Sequence, residues 1–233
     1  MVNELHGNEQ LALFYSACVT KGLQHLHERC IVYRDMKPEN LLLDSTGYCK
    51  ITDFGLAKFC LGKTFTTCGT PDYFAPELIK TIGHTVALDW WTLGILIFEL
   101  MTGTTPFTAD DPQKICAKVM QGFGNVKFPR NASRWPDLVK DLCKMEPDER
   151  LPMQPGGAKN VETHRWYRSH KFDWDLLVTR KMTAPFLPEA AAGTSNFCAD
   201  ESEAPPEKRY IDPRDGWDDS FEDAWGPETF DIL

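Results

Sequence analysis

The residues best suited to chemistry lie in the string Tyr33-Arg-Asp-Met-Lys-Pro-Glu-Asn40. Asp35 and Lys37 are close together in it, so a carboxylate and an ammonium share one tight loop. In a phosphoryl transfer, Asp35 would orient a hydroxyl and remove its proton, while Lys37 would offset charge on the moving phosphate. The pair therefore predicts chemistry between a hydroxyl and a phosphate.

A predicted hairpin would bring two candidate oxygen ligands for a metal ion close together. Leu41–Leu43 and Cys49–Thr52 read as strands joined by the turn signal Asp44-Ser-Thr-Gly47. That hairpin would bring Asn40, before the first strand, close to Asp53, after the second. Mg²⁺ binds few protein carboxylates and keeps waters and phosphates as its other ligands, so the pair suits it. Asp53-Phe-Gly55 alone would be read as a simple turn; the preceding string favours the metal interpretation.

The elements that must position these residues are mostly helices. Apolar residues recur at helical spacing over Asn8–His27, with Asn8 as a candidate cap. Ala87–Met101 is apolar on nearly every face, which predicts a buried helix. Ile31–Val32 reads as a short strand, and residues 53–85 as one long loop. Further helices are predicted over Pro112–Met120, Trp135–Cys143 and His164–Arg168.

Charge and cysteine patterns exclude several classes of protein. The 233 residues carry 34 acidic and 25 basic side chains, for a net charge of −9. Residues 199–233 hold the whole excess of acidic over basic side chains, so residues 1–198 are neutral overall. A neutral body lacks the positive charge that binds phosphate backbones, so binding to nucleic acid is not expected. None of the eight cysteines forms a C-x-x-C pair, which argues against a zinc site. The apolar run Leu93–Phe98 is too short to span a membrane, so we expect a cytoplasmic protein.

The string and the Asp53-Phe-Gly55 motif together resemble the catalytic loop and the Mg²⁺ loop of protein kinases. Tyr33 in place of the usual His is typical of the AGC group of serine/threonine kinases. Three further motifs follow in the family's order: Ala75-Pro76-Glu77, Asp89–Gly94 and Arg150. The tail contains two short pieces similar to cyclic-nucleotide-dependent, especially cGMP-dependent, kinases: Thr194–Phe197, and Gly216-Trp-Asp218 with Phe221.

The resemblance implies ATP and Mg²⁺ as cofactors and a role for each matching residue. Asp35 would be the catalytic base, Lys37 would contact the γ-phosphate, and Thr70 would hydrogen-bond both. The cofactor site would comprise the metal ligands Asn40 and Asp53 together with Glu39, Leu42 and Thr52, the last two beside the adenine.

The resemblance also assigns substrate, regulatory and structural residues. Glu39 and Glu99 would receive a basic residue upstream of the target Ser or Thr. A partner within the protein's own body is the competing interpretation for Glu99, which lies in an apolar helix. Thr66 would be the activation-loop phosphothreonine, received by Arg34 and Lys58. Structurally, Glu77 would pair with Arg150.

The fold implied is a mainly α kinase C-lobe, a helical bundle with a small hairpin at the catalytic loop, over residues 1–182. Residues 183–233 would form an acidic, largely disordered AGC-type tail. The N-lobe is expected to be missing, because no Gly-rich loop, strand lysine or partner glutamate is present and Gly122-Phe-Gly124 reads as a turn. We therefore expect a Ser/Thr kinase whose ATP binding and activity are weak or absent in this chain alone. The alternative is a catalytically inactive lobe that docks substrates or a partner, and any cyclic-nucleotide-binding module would lie outside this chain.

Overall fold

The computed structural model describes residues 6–188, and its first element is the long helix α1 (Glu9–His27). Asn8 caps this helix, since its side-chain oxygen accepts hydrogen bonds from the backbone N–H groups of Gln10 (3.0 Å) and Leu11 (3.3 Å). The apolar side chains that the spacing predicted to face inward are buried. The predicted helix and its cap are thus confirmed.

The second long helix, α3 (Ala87–Thr102), runs through the core. Every residue from Ala87 to Phe98 is buried, which explains why its sequence is apolar on nearly all faces. The helix ends at Gly103, whose φ of 80° is the left-handed conformation that glycine adopts without strain. It packs against α1 on one side and α5 (Trp135–Leu142) on another.

Two small antiparallel sheets flank these helices. The predicted hairpin consists of β2 (Leu41–Leu43) and β3 (Cys49–Ile51). Its turn is held by the Asp44 carboxylate, which accepts from the N–H groups of Thr46 (2.9 Å) and Tyr48 (3.1 Å). The other sheet pairs β1 (Ile31–Val32) with β4 (Lys58–Phe59).

The interpretation of residues 53–85 as one long loop was wrong. This segment contains β4, a 3₁₀ turn over Pro71–Tyr73, and the short helix α2 (Pro76–Ile79). Both helical pieces start with proline at their first position, where its missing N–H costs nothing. The elements that follow are α4 (Pro112–Gln121), α5, α6 (Lys159–Glu162), α7 (Arg165–Ser169) and α8 (Trp174–Val178), with 3₁₀ turns over Gly122–Asn125, Pro147–Glu149 and Leu151–Met153.

The described part of the chain has the mainly α fold that was expected, with two two-stranded sheets and no larger sheet. None of its helices is long and apolar enough to cross a membrane. Packing continues past residue 182, because Ala184 is buried and Phe186 lies against the core. The predicted acidic tail beyond residue 188, with Thr194–Phe197, Gly216-Trp-Asp218 and Phe221, lies outside the described residues.

Candidate active site

The catalytic loop is anchored by the carboxylate of Asp89, which is fully buried on α3. One of its oxygens accepts from the backbone N–H of Arg34 (2.8 Å) and the other from that of Tyr33 (2.9 Å). His27, in the last turn of α1, brings Nε2 within 2.7 Å of the same carboxylate. These contacts hold Arg34 at a φ of 73°, a conformation that side chains other than glycine rarely adopt. The helix core thus dictates the backbone path just before Asp35.

Lys37 and Asn40 hold one carboxylate oxygen of Asp35, while Thr70, expected to bond both Asp35 and Lys37, is hydrogen-bonded among the described residues to Lys37 and not to Asp35. Oδ2 of Asp35 lies 3.1 Å from the Lys37 ammonium and accepts from the amide of Asn40 at 2.8 Å. The same amide donates to the Asp35 backbone carbonyl (2.8 Å), and Lys37 also donates to the Thr70 hydroxyl (3.3 Å). None of these contacts involves Oδ1 of Asp35. That oxygen is therefore the one able to receive a proton from a substrate hydroxyl.

Asp53 is tied to this group through its neighbour Thr52. The N–H and the hydroxyl of Thr52 both donate to the backbone carbonyl of Asn40, at 2.9 and 3.1 Å. Asp53 itself has a φ of 53°, and its carboxylate accepts from the N–H of Gly55 at 3.1 Å. The strand end that carries Asp53 therefore lies directly against the residue that ends the catalytic loop.

The phenol of Tyr33 is influenced by charges from both the catalytic loop and the loop that begins at Asp53. Its hydroxyl donates to the backbone carbonyl of Thr52 at 2.5 Å. Burial raises the pKa of this phenol, a hydrogen bond with Asn40 opposes the rise, and the negative charges of Asp35 and Asp53 raise it further. Both carboxylates thus act on one buried hydroxyl.

The donor set fits Mg²⁺. An amide oxygen and a carboxylate are hard ligands, and a pair of them leaves most of the coordination sphere for phosphate and water oxygens. Within residues 6–188, no group of three or more His, Cys, Asp or Glu side chains is arranged to hold a metal ion. Asn40 and Asp53 would hold the ion only together with a nucleotide.

The two residues expected beside the adenine sit on the hairpin. Leu42 lies on the open face of β2 and is 42% exposed, while Thr52 is half-buried at the end of β3. Phe54 is also exposed on this side, and its ring packs edge-on against that of Tyr33, with the centroids 5.7 Å apart. Leu42 and Phe54 are thus exposed apolar residues close in sequence to Asn40 and Asp53.

An acidic groove of about 580 Å³ adjoins the catalytic loop. Lys37 and Thr70 line it together with Glu39 and Glu99. Glu99 is half-buried and accepts a hydrogen bond from the hydroxyl of Tyr73, so the body supplies a partner for this partly desolvated carboxylate. Burial raises the pKa of Glu99 and its acidic neighbours add to the rise, while the Tyr73 hydrogen bond opposes it. Sequence reasoning raised an internal partner for Glu99 but did not identify Tyr73.

The predicted phosphorylation segment is built around Thr64. Thr66 is exposed, whereas Thr64 is buried and accepts a hydrogen bond from the Lys58 ammonium at 3.0 Å. Arg34 directs its Nε to the carbonyl of Leu56 (2.7 Å). Within the described residues, neither Arg34 nor Lys58 is hydrogen-bonded to Thr66.

Glu77 and Arg150 form a buried, two-pronged ion pair, with N–O distances of 2.6 and 2.7 Å. Arg150 also donates to the carbonyls of Ala87 (2.8 Å) and Lys144 (3.2 Å). Its guanidinium lies over the ring of Trp91, 5.2 Å from the centroid. This pair joins α2, which follows the activation segment, to the chain beyond α5.

Comparison with known proteins identifies the family. The protein kinase domain matches residues 2–167. The chain belongs to the protein kinase family. It is 43% identical over 221 residues to the cGMP-dependent protein kinase, isozyme 1, of Drosophila melanogaster, covering 91% of this chain and 28% of the fly protein. It is 46% identical over 188 residues to the human cAMP-dependent protein kinase catalytic subunit PRKX, covering 79% of this chain and 51% of the human one.

A third relative, the cGMP-dependent protein kinase egl-4 of Caenorhabditis elegans, is 43% identical over 224 residues. That match covers 93% of this chain and 28% of the worm protein. This kinase chain therefore spans about a quarter to a half of the length of these curated relatives. The expected resemblance to cyclic-nucleotide-dependent AGC kinases is confirmed.

Proposed function

We propose that this chain carries the phosphotransfer centre of a serine/threonine kinase that acts on Ser or Thr hydroxyls near basic residues. The observation that supports this most directly is the network in which Lys37 and Asn40 hold one oxygen of Asp35. Thr70 completes the network from the activation segment. A carboxylate held in this way is positioned for a hydroxyl and protected from rotating away.

The proposed chemistry divides between the chain and its cofactor. ATP with Mg²⁺, held through Asn40 and Asp53, would supply the γ-phosphoryl group. Oδ1 of Asp35 orients the substrate hydroxyl and takes its proton as the new O–P bond forms and the bond to ADP breaks. Lys37 offsets the negative charge of the phosphoryl oxygens from its place beside Asp35 and Thr70.

The groove next to this centre supports the preference for basic residues. Glu39 and Glu99 place negative charge along one wall, and Asp72 adds a third carboxylate. An arginine upstream of the target hydroxyl would displace the Tyr73 hydroxyl from Glu99 or share that carboxylate with it. Desolvation of Glu99 makes a cationic partner more favourable there than at the surface.

Regulation is part of the same proposal. Phosphorylation of Thr66 would add nearly two negative charges, about −1.5 to −2, close to Arg34 and Lys58. Any regulation by cyclic nucleotides would rest on residues outside those described, and the protein would work in the cytoplasm. The second candidate, a docking lobe without catalysis, is favoured by the same acidic groove, since that groove does not depend on ATP.

A peptide assay separates the two candidates. The chain is incubated with millimolar ATP, Mg²⁺ and a serine peptide preceded by two arginines. The kinase interpretation predicts slow transfer that Asp35→Asn abolishes and Asp110→Asn, a change at an exposed carboxylate, preserves. Peptide binding without transfer in the parent chain, unchanged by Asp35→Asn and weakened by Glu99→Gln, would support the docking lobe as the function of this chain alone. Transfer that Asp35→Asn leaves unchanged would contradict the kinase proposal.

A further inference from the structure

Two buried nitrogen atoms beside the activation segment have no hydrogen-bond partner within residues 6–188. They are Nη1 of Arg34 and Nε2 of His84. Arg34 is 8% exposed and His84 3%, so solvent does not replace the missing partners. Buried donors are nearly always satisfied, and an unsatisfied pair at one place indicates a ligand that the pair is built to bind.

The backbone brings His84 to the same place as Lys58. His84 and Thr64 form an isolated antiparallel bridge, with N–O distances of 3.0 and 2.9 Å. Residues directly opposite in such a bridge project their side chains to the same side. The Thr64 hydroxyl receives the Lys58 ammonium at 3.0 Å. The imidazole therefore lies on the same side of the bridge as the Thr64 hydroxyl that binds Lys58, and the charges of Lys58 and Arg34 both act on it.

The charges that face His84 from each neighbouring element favour an anion there. Burial lowers the pKa of His84, and the positive charges of Arg34 and Lys58 lower it further. Glu77 and Asp89 act in the opposite direction, but the first is paired with Arg150 and the second binds the catalytic loop. With Glu77 neutralised by Arg150, two positive charges outweigh the one remaining carboxylate, and the net charge around the imidazole is positive.

We propose that His84 is the third ligand of an anion site formed with Arg34 and Lys58, and that this site binds the phosphate of phosphorylated Thr66. This inference rests on the proposed phosphorylation of Thr66. Thr66 lies two residues beyond Thr64, and two residues of extended chain span about 7 Å, so its phosphate reaches the site. A dianion would accept hydrogen bonds from both unsatisfied nitrogens at once.

The third ligand makes the effect of the phosphate depend on pH. In the unphosphorylated chain His84 is held neutral, so the folded state loses stability as pH falls through the ordinary histidine pKa of about 6.5. A bound dianion raises the pKa of His84, so the folded state then takes up the proton and this loss is removed. The stabilisation produced by the phosphate should therefore grow as pH falls from 8.5 to 6.5, where phosphothreonine is still mainly a dianion.

The test compares the melting temperatures of the full chain with threonine or phosphothreonine at position 66, the latter installed by genetic-code expansion. The gain on phosphorylation should be about 2–4 °C larger at pH 6.5 than at pH 8.5. His84→Gln keeps a neutral donor but cannot take up a proton, so its gain should be the same at both values. His25→Gln, at an exposed position on α1, should behave like the parent. An unchanged pH dependence in His84→Gln would overturn the proposal.

A spectroscopic readout serves if a variant does not fold. The imidazole resonances of His84 in the parent chain are followed while inorganic phosphate is added to the unphosphorylated chain, and again after phosphothreonine is installed. Movement of the His84 signals in both experiments, with those of His25 unmoved, supports the site. Movement with inorganic phosphate alone supports the anion site and rejects Thr66 as its donor. No movement in either experiment refutes the inference, while the kinase assay with Asp35→Asn stays an independent test of the function.

Discussion

The ion pair between Glu77 and Arg150 offers a quantitative test of how the activation segment is fixed. Both side chains are buried, at 1% and 0% exposure. Arg150→Met leaves the Glu77 carboxylate without a partner in a dry site and removes the donors to two backbone carbonyls. We expect a loss of about 3–5 kcal/mol in unfolding free energy, out of about 5–15 kcal/mol for a whole domain.

Glu77→Leu should cost a similar amount, because it leaves the guanidinium of Arg150 unpaired. The double variant Glu77→Leu/Arg150→Met removes both charges together. It should therefore lose far less than the sum of the single changes, with a coupling energy of about 2–3 kcal/mol. Urea denaturation followed by tryptophan fluorescence measures all four chains, and the single variants need only remain folded in dilute urea.

An exposed ion pair provides the matched control. Arg165 lies 3.0 Å from Asp137, with side-chain exposures of 58% and 28%. Arg165→Met should change the unfolding free energy by about 0–1 kcal/mol, since water screens the pair. Additive losses in the Glu77/Arg150 cycle, with a coupling below about 0.5 kcal/mol, would refute the argument that burial gives this pair its importance.

Four further variants test other parts of the fold by the same urea measurement. Tyr15→Phe removes a buried hydroxyl with no partner in residues 6–188 and should raise stability, whereas Tyr167→Phe, which removes a hydroxyl bound to Ser16, should lower it by about 1 kcal/mol. Asp89→Asn replaces the charged acceptor of two N–H groups in the catalytic loop by a neutral amide. We expect a loss of about 2–4 kcal/mol in unfolding free energy and abolished phosphotransfer. Burial raises the pKa of Asp44, but hydrogen bonds from Thr46, Arg180 and Tyr48 outweigh it and the pKa falls below its usual range. Asp44→Asn should therefore destabilise the chain at pH 6, and the difference should shrink only below the ordinary aspartate pKa of about 3.9, as the pH falls toward the lowered pKa of Asp44.

Much of the fold was predictable because its long elements carry local signals. Asn8 caps α1, and the apolar spacing behind it specifies the buried face. The uniform apolar character of Ala87–Met101 predicted burial, and α3 is buried as a result. In the hairpin, Asp44 and Gly47 form the turn that their types indicate, and Gly47 adopts a φ of 81°.

The missed elements depend on partners far along the chain. β1 was predicted as a short strand, but its two-residue partner β4 was not, because Ile31 pairs with Phe59 across the intervening hairpin. Two residues carry no periodicity, so no sequence window could reveal this pairing. The same holds for the site. Asp35, Lys37 and Asn40 are local to one string, whereas Tyr73 on Glu99 and His84 opposite Thr64 are consequences of the folded path.

The active-site backbone is strained in two places, and the strain explains why the anchoring residues are buried so deeply. Arg34 and Asp53 both have positive φ, a conformation that costs a non-glycine residue about 1–2 kcal/mol. Asp89 offsets the cost at Arg34 by accepting hydrogen bonds from two consecutive backbone N–H groups. Next to Asp53, the hydrogen bond from the N–H of Thr52 to the carbonyl of Asn40 fixes the backbone. Because Asp35 directly follows Arg34, relaxing that strain would rotate Asp35 away from Lys37. Loss of the Asp89 carboxylate should therefore impair phosphotransfer even in molecules that remain folded.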